Sequence, residues 1–207
     1  MSSRLACYRP FPPARAITFL LAFVASAHFS FSQTGSNKIP NFGQVNANYF
    51  RGGQPDARHF ALLKKMGIKT VIDLQKDPQN QEKTRVQEAG MKYIQIPLST
   101  TRAATAEQTE YFLRLVNNPD NLPVYVHCAG GRHRTGEMTA IYRITHDSWS
   151  ADSAYAEMKE YGYYSFPNHG SLRSYVYTYY EEYQLAGSKG NIAAKPVPEP
   201  ALIKTTF

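Results

Sequence analysis

The apolar positions change period several times along this chain, and the changes outline its elements. Tyr49 to Gly52 is a short apolar stretch that runs into Gly53-Gln54-Pro55, which predicts a strand entering a loop. Pro55 suits the first turn of a helix. Phe60, Leu63 and Lys64 carry that helix to Met66, with Gly67 as its stop. The β-branched run Ile68 to Leu74 predicts a strand. Residues 78–89 read as a polar helix ended by Gly90, and residues 92–97 alternate as a half-buried strand does. Thr105 and Gln108 have capping-box spacing, and Phe112, Leu115 and Val116 share one face of the helix behind them. Pro123 to His127 predicts another strand. Arg134 to His146 predicts a helix with Met138, Ile141 and Thr145 on one face. Ser150 caps a helix carrying Ala154 and Met158. Ser171 to Leu185 forms a last helix with Leu172, Tyr175, Val176, Tyr179 and Tyr183 inward. Strands alternating with helices predict an α/β fold, a mainly parallel central sheet flanked by helices.

Both ends fall outside this pattern. Arg4, Arg9 and Arg15 make a basic start without an acid, residues 16–25 are apolar, and Ala25-Ser26-Ala27 fits a small-residue cleavage site. Residues 1–27 therefore read as a signal peptide, with an organellar transit peptide as the alternative. The apolar run is shorter than the roughly 20 residues a bilayer span needs, so no stable membrane anchor is expected. Residues 28–43 read as a flexible lead-in, 44–186 as one folded domain and 187–207 as a disordered tail. The formal charge of the 207-residue chain is +7, and it falls to +4 if the three early arginines leave with the signal. That balance suits an anionic substrate. No basic run with interleaved aromatics is present, so a nucleic-acid partner is not expected. A monomer is expected.

Removing the signal also removes Cys7, which leaves Cys128 as the sole thiol. Cys128 ends the apolar run Val124-Tyr125-Val126-His127. Five residues follow, Ala129, Gly130, Gly131, Arg132 and His133, and then Arg134, Thr135 and Gly136. This is strand, turn, helix. The two glycines allow close approach of backbone N–H groups to one centre. The helix beginning near Arg134 directs its N-terminal dipole there, so the turn is a nest for a tetrahedral oxyanion. The same environment favours a thiolate, the nucleophilic form of cysteine. Arg134 offers a planar fork to two phosphoryl oxygens. Thr135 can donate its hydroxyl to the sulfur. Arg132 and His133 add positive charge or face solvent, and His127 either orients the loop from beneath or is an ordinary core histidine.

The run His127-Cys128 to Arg134-Thr135-Gly136 resembles the signature of cysteine-dependent protein tyrosine and dual-specificity phosphatases. The segment Asn41 to Gln54, the strand Ile68 to Leu74 and Ser148-Trp149-Ser150 are similar to the compact atypical enzymes of bacteria, plants and fungi, so that 44–186 would be a phosphatase domain. The resemblance implies a dual-specificity-phosphatase-like fold and a two-step hydrolysis of phosphomonoesters. Their source would be phosphotyrosine, phosphoserine or phosphothreonine in proteins, or inositol phosphates. A cysteinyl-phosphate on Cys128 would be stabilised by Arg134 and the N–H groups of 129–134, with no metal or other cofactor. It also implies a general acid, an aspartate on a separate loop. The stretch after Ile94-Gln95-Ile96, where many relatives place it, contains Glu107 and no aspartate. Asp73 at a strand end is the leading candidate, ahead of Glu107, His133 and Asp120. The alternative to an active enzyme is a phosphate-binding pseudophosphatase. Sulfur transfer and arsenate reduction are disfavoured, the latter because it asks for further thiols.

Overall fold

The computed structural model describes residues 38–79 and 81–188. Residues 1–37, read as a signal peptide and most of a lead-in, lie outside the described residues, as do 189–207 of the expected tail. The elements in chain order are β1 (Gly43–Asn46), β2 (Tyr49–Gly52), α1 (Ala57–Lys65), β3 (Thr70–Gln75), α2 (Glu82–Glu88), β4 (Lys92–Leu98), α3 (Ala106–Val116), β5 (Val124–His127), α4 (Arg134–His146), α5 (Ala151–Glu160) and α6 (Gly170–Ser188). No helix among the described residues is long and apolar enough to cross a membrane.

The five strands form one sheet in the order β1-β2-β5-β3-β4. β2, β5, β3 and β4 run parallel, and β1 pairs antiparallel with β2 at one edge. β5 therefore lies in the middle, covered by a strand on each side. Side-chain alternation sorts the two faces. Val71, Phe50 and Tyr125 pack on Phe60 and Leu63 of α1 and Val86 of α2. Tyr49, Ile72, Leu74, Val124 and Val126 pack on Phe112 of α3 and on Met138 and Ile141 of α4. Behind α4, Ala140 and Ile144 meet Ala154 and Met158 of α5 and Leu172 and Val176 of α6. Each fully buried Val, Leu, Ile, Phe or Met side chain among these contributes about 1.5–3 kcal/mol relative to exposure. α4 is anchored on both sides, which holds its first residue, Arg134, in place.

Most element expectations hold, and the differences have local causes. The capping box at Thr105 forms in both directions, and the Ser150 hydroxyl caps α5. α1 is capped by Asp56, with His59 closing the box, so Pro55 precedes the cap instead of entering the first turn. α2 begins at Glu82, four residues later than expected, after a left-handed Gln81 with no side-chain cap. Pro78 disfavours helical geometry at the residue before it, and the chain stays irregular there. The lead-in reading fails for residues 39–43. Ile39 is buried against Phe50, Phe60 and Tyr125, and Gly43 already belongs to β1. One apolar anchor in a polar stretch leaves no periodic signal. At the other end α6 reaches Ser188, two residues into the expected tail.

Candidate active site

β5 delivers the cysteine. Alternation along it sends Val124, Val126 and Cys128 to the α4 face, and Tyr125 and His127 to the α1/α2 face. Cys128 is a free thiol, 3% exposed, at the carboxyl end of a central parallel strand. That edge is where open α/β sheets take their ligands.

The loop after Cys128 is held from outside by its carbonyls. The Gln54 N–H donates to the Ala129 oxygen at 3.0 Å. Asn41 Nδ2 donates to the Gly131 oxygen at 3.0 Å and to the Gly130 oxygen at 3.4 Å. Arg51 Nη2 donates to the Gly131 oxygen at 3.0 Å. In a trans peptide the N–H points opposite to the C=O. Tying three successive oxygens outward therefore turns the N–H groups of Gly130, Gly131 and Arg132 inward. Gly131 is left-handed at φ +68°, and a Cβ there would lie 2.6 Å from the Gly52 oxygen, so only glycine fits.

Arg51 is fully buried beneath this loop, stacked 3.8 Å over the Tyr161 ring. Burial pulls its pKa down, against the opposing pull of the nearby Glu157 carboxylate. The loop thus contains a charge-assisted brace from β2. The braces themselves are braced: Tyr125 Oη donates to the Gly53 oxygen at 2.6 Å, and Asn41 also donates to the Tyr161 oxygen at 2.8 Å.

The loop ends at α4, whose first residue is Arg134. Arg134 is 8% exposed, and its Nη1 donates to the Leu74 oxygen at 3.3 Å. It lines an open cleft of roughly 880 Å³ with Gln75, Lys76, Asp77, Leu98, Ser99 and Arg102, among others. The far wall is the segment after β4, and it is pinned at several points. The Ser99 hydroxyl accepts from the Thr101 and Arg102 N–H groups. His169 Nδ1 donates to the Thr100 oxygen at 2.6 Å and the Ser171 hydroxyl to the Thr101 oxygen at 2.7 Å. The Ala104 N–H donates to Glu137 Oε1 at 3.0 Å. Glu137 sits in the first turn of α4, fully buried, and burial pushes its carboxyl up to about 8.

The predicted site residues separate into those the fold brings together and those it does not. Cys128, the backbone of 129–133 and Arg134 run without a break from the end of β5 into α4, and of these Arg134 lines the cleft. Thr135 is fully buried, but its hydroxyl has no hydrogen-bond partner, so the expected bond to the sulfur is not formed. The Arg132 side chain is exposed and lies along Gly162. His133 turns away from the cleft. Its ring stacks on His169 at 3.8 Å and meets Tyr164 edge-on at 4.5 Å. Burial and then the His169 and Arg132 charges lower its pKa to about 4. It is neutral near pH 7 and unsuited to give up a proton.

Asp73 does not line the cleft. It pairs with His127 in the β3–β5 register and shares the α1/α2 face, where it is fully buried. Tyr93 Oη and the Gln75 N–H donate to its carboxylate. Its pKa is raised mainly by burial, against the pull of His127. His127 Nε2 lies 3.0 Å from Glu82 Oε1, with Asp73 4.0 Å from Nδ1. His127 is therefore a buried ring set between two carboxyl groups, supporting the strand end from below. Asp73, Glu82 and His127 are also the group among the described residues whose geometry could hold a metal ion, and the His127 ring nitrogens and the Glu82 carboxyl oxygens are buried without a hydrogen-bond partner. Of the aromatic residues within 163–166, Tyr163 packs inside while Tyr164 and Phe166 stay exposed, and none of them is among the residues that line the cleft.

Sequence reasoning missed Arg51, Asn41, Glu82 and Glu137 as individual contributors. Arg51 and Asn41 lie in a segment whose similarity to a family was visible, without any hint of what their side chains hold. Glu82 and Glu137 read as ordinary acids in the first turns of their helices.

A nest of inward N–H groups, a thiol at its base and an arginine at its rim suit phosphoryl transfer to sulfur, the chemistry of cysteine-based phosphatases. Comparison with known proteins agrees. A family profile described as "DSP-PTPase phosphatase fused to NAD+ Kinase" matches residues 24–169. A Dictyostelium discoideum protein named "Probable tyrosine-protein phosphatase DG1060" is 30% identical over 126 residues, which cover 58% of this chain and 75% of the relative. The crystal structure of TpbA from P. aeruginosa matches with a TM-score of 0.61 at 26% identity, over 72% of this chain and 91% of that one. The catalytic core of the yeast PP-IP phosphatase SIW14, crystallised with citrate, matches with a TM-score of 0.60 at 23% identity, over 75% of this chain and 97% of the other, and supports the fold. The chain belongs to this DSP-PTPase phosphatase family.

Proposed function

We propose that this protein hydrolyses phosphomonoesters, of proteins or of inositol phosphates, through a cysteinyl-phosphate on Cys128. The observation that carries the reading is the outward tying of the Ala129, Gly130 and Gly131 oxygens around a thiol at the end of β5. Inward N–H groups, the N-terminus of α4 and the Arg134 guanidinium stabilise the phosphoryl oxygens as charge develops on them. Arg134 is held by the Leu74 oxygen so that its fork is in place before substrate arrives. Arg51 supplies a buried positive charge on the far side of the loop.

The relatives' names span two substrate classes. TpbA is named a dual-specificity protein phosphatase and SIW14 a PP-IP phosphatase. Lys76 and Arg102 join Arg134 in the cleft lining, which supports substrates that carry a second anionic group beside the phosphate attacked. Export after cleavage near Ala27 belongs to the same proposal and rests on the pattern of residues 1–27. It is tested by sequencing the N-terminus of the protein from fractionated cells. A cytosolic protein beginning at Met1 overturns it.

Activity is tested with p-nitrophenyl phosphate in the presence of a chelator. Turnover that vanadate inhibits, together with phosphocysteine trapped by acid quench, is the expected result. Vanadate binding without turnover or phosphocysteine would instead identify a phosphate-binding pseudophosphatase.

A further inference from the structure

The proposed hydrolysis needs a proton donor facing the leaving oxygen, opposite the sulfur. Four candidates were open in the sequence, and the structure places each elsewhere. Asp73 is buried beneath the sheet edge, and His133 is neutral and stacked on His169. Glu107 lies on α3 outside the cleft lining. Asp120 precedes β5, at the sheet edge opposite the Cys128 loop. Among the described residues, the carboxylate that lines the cleft with Arg134 is Asp77.

The fold accounts for its position. β3 and β5 are parallel and in register at Asp73 and His127, so the loops that follow them leave the sheet at the same edge. Arg134 holds the Leu74 oxygen, three residues before Asp77. Gln75 is hydrogen-bonded to Gln54, whose N–H in turn holds the Ala129 oxygen. Asp77 thus follows a segment tied twice to the phosphate cradle. Pro78 keeps it out of helical geometry, and α2 does not begin until Glu82. Its side chain is exposed, as a group that must meet a substrate has to be.

We infer that Asp77 is the general acid and base of this enzyme, carried on the loop after β3 and not on the segment after β4. The inference rests on Cys128 being the nucleophile. In the first step the Cys128 sulfur forms a bond to phosphorus and the bond from phosphorus to the leaving oxygen breaks. The Asp77 carboxyl proton passes to that oxygen. In the second step a water oxygen bonds to phosphorus and its proton passes to the Asp77 carboxylate. The sulfur–phosphorus bond breaks, the thiolate is restored and inorganic phosphate leaves.

The test compares the full-length protein with its Asp77→Asn, Asp77→Glu and Cys128→Ser variants on phenyl phosphate and p-nitrophenyl phosphate. General acids contribute about 10²–10⁴-fold, and the contribution shrinks as the leaving group improves. Asp77→Asn is expected to lose at least about 100-fold in kcat/KM on phenyl phosphate and far less on p-nitrophenyl phosphate. Its p-nitrophenol release should then show a stoichiometric burst, because breakdown of the phosphocysteine lacks its base. Asp77→Glu should recover part of the loss, and thermal melting of Asp77→Asn should match the unaltered protein. Equal losses on the two esters, or no loss, overturn the assignment. The underlying reading fails separately, by turnover in Cys128→Ser or by the absence of phosphocysteine in the unaltered protein, whatever Asp77→Asn does.

Discussion

The two walls of the cleft are built on different principles. On one side the loop from Cys128 to Arg134, which meets the cleft at Arg134, is fixed by the buried Arg51, the half-buried Asn41 and the α4 core residues Met138 and Ile141. On the other side Lys76, Asp77 and Arg102 are exposed on irregular segments. The difference follows the chemistry each side serves. A phosphoryl group has one shape, so its cradle gains from preorganisation. Leaving groups vary, so the side that meets them gains from exposed, adaptable groups. Stability and catalysis should therefore respond together on the cradle side and separately on the other.

The strongest way to probe the cradle is to remove its reacting atom while keeping its shape. Cys128→Ser should abolish turnover to background while vanadate or phosphate still stabilises the fold, read by thermal melting with and without the anion. Loss of anion binding as well would show that the sulfur also sets the loop geometry. Gly131→Ala should come next. A left-handed non-glycine residue costs about 1–2 kcal/mol, and the new Cβ would overlap Gly52. The loop must move, and a displacement of about 1 Å is enough to lower kcat by about 100-fold. Both kcat and the melting temperature should fall.

Arg51→Met tests whether the cradle depends on its buried cation. Hydrogen bonds to charged groups contribute about 1.5–3 kcal/mol, and a stability loss of that order should accompany a lower kcat. Arg51→Lys should recover stability in part only, because it keeps the charge but not the fork. An exposed change on the opposite wall, Arg102→Ala, should raise KM for multiply charged substrates and leave melting unchanged. If Arg102→Ala destabilised the protein as Arg51→Met does, the contrast between the walls would be lost.

Glu137 connects the two sides, since α4 carries both it and Arg134 while its carboxyl oxygen accepts from the Ala104 N–H on the far wall. Its carboxyl is raised from the ordinary 4.5 to about 8 by burial. Between those values the unfolded chain is ionised there and the folded chain is protonated. The folded state binds more protons, so this group makes stability decline as pH rises from 4.5 towards 8. Below that window its cost is absent, and above it the cost is complete. Glu137→Gln should remove this component of the slope, measured by urea unfolding at pH 5 and pH 8.5. An unchanged slope would show that another group carries the dependence. The smallest effect is expected from His169→Ala, which removes one donor to the wall. A cost of about 1 kcal/mol is ordinary for one hydrogen bond, and kcat on p-nitrophenyl phosphate should hold.

Much of the fold was readable because its signals are local. The capping box of Thr105, the β-branched run of β3 and the face of α3 each depend on residues a few positions apart. The same holds for the Cys128 loop, where five residues between a thiol and a guanidinium set both the turn and its chemistry. The edge strand β1 and the burial of Ile39 escaped notice because a short, largely polar segment has no period to detect. Asp73 illustrates the opposite error. Its place at a strand end suggested access to the substrate, but side-chain alternation sends it with His127 to the α1/α2 face.

The sequence by itself determined the alternating order of strands and helices, the glycines of the Cys128 loop and the spacing from Cys128 to Arg134. Contacts within a few residues are enough to specify each of these. Only the tertiary structure decided which groups close the cradle, because Arg51 lies 80 residues and Asn41 90 residues from the Gly131 oxygen they share. It also decided which carboxylates are buried and which reach the cleft, placing Asp77 there and Asp73 beneath. Those outcomes depend on strand order and register, which arise from the packing of the whole sheet and are written in no single stretch of the chain.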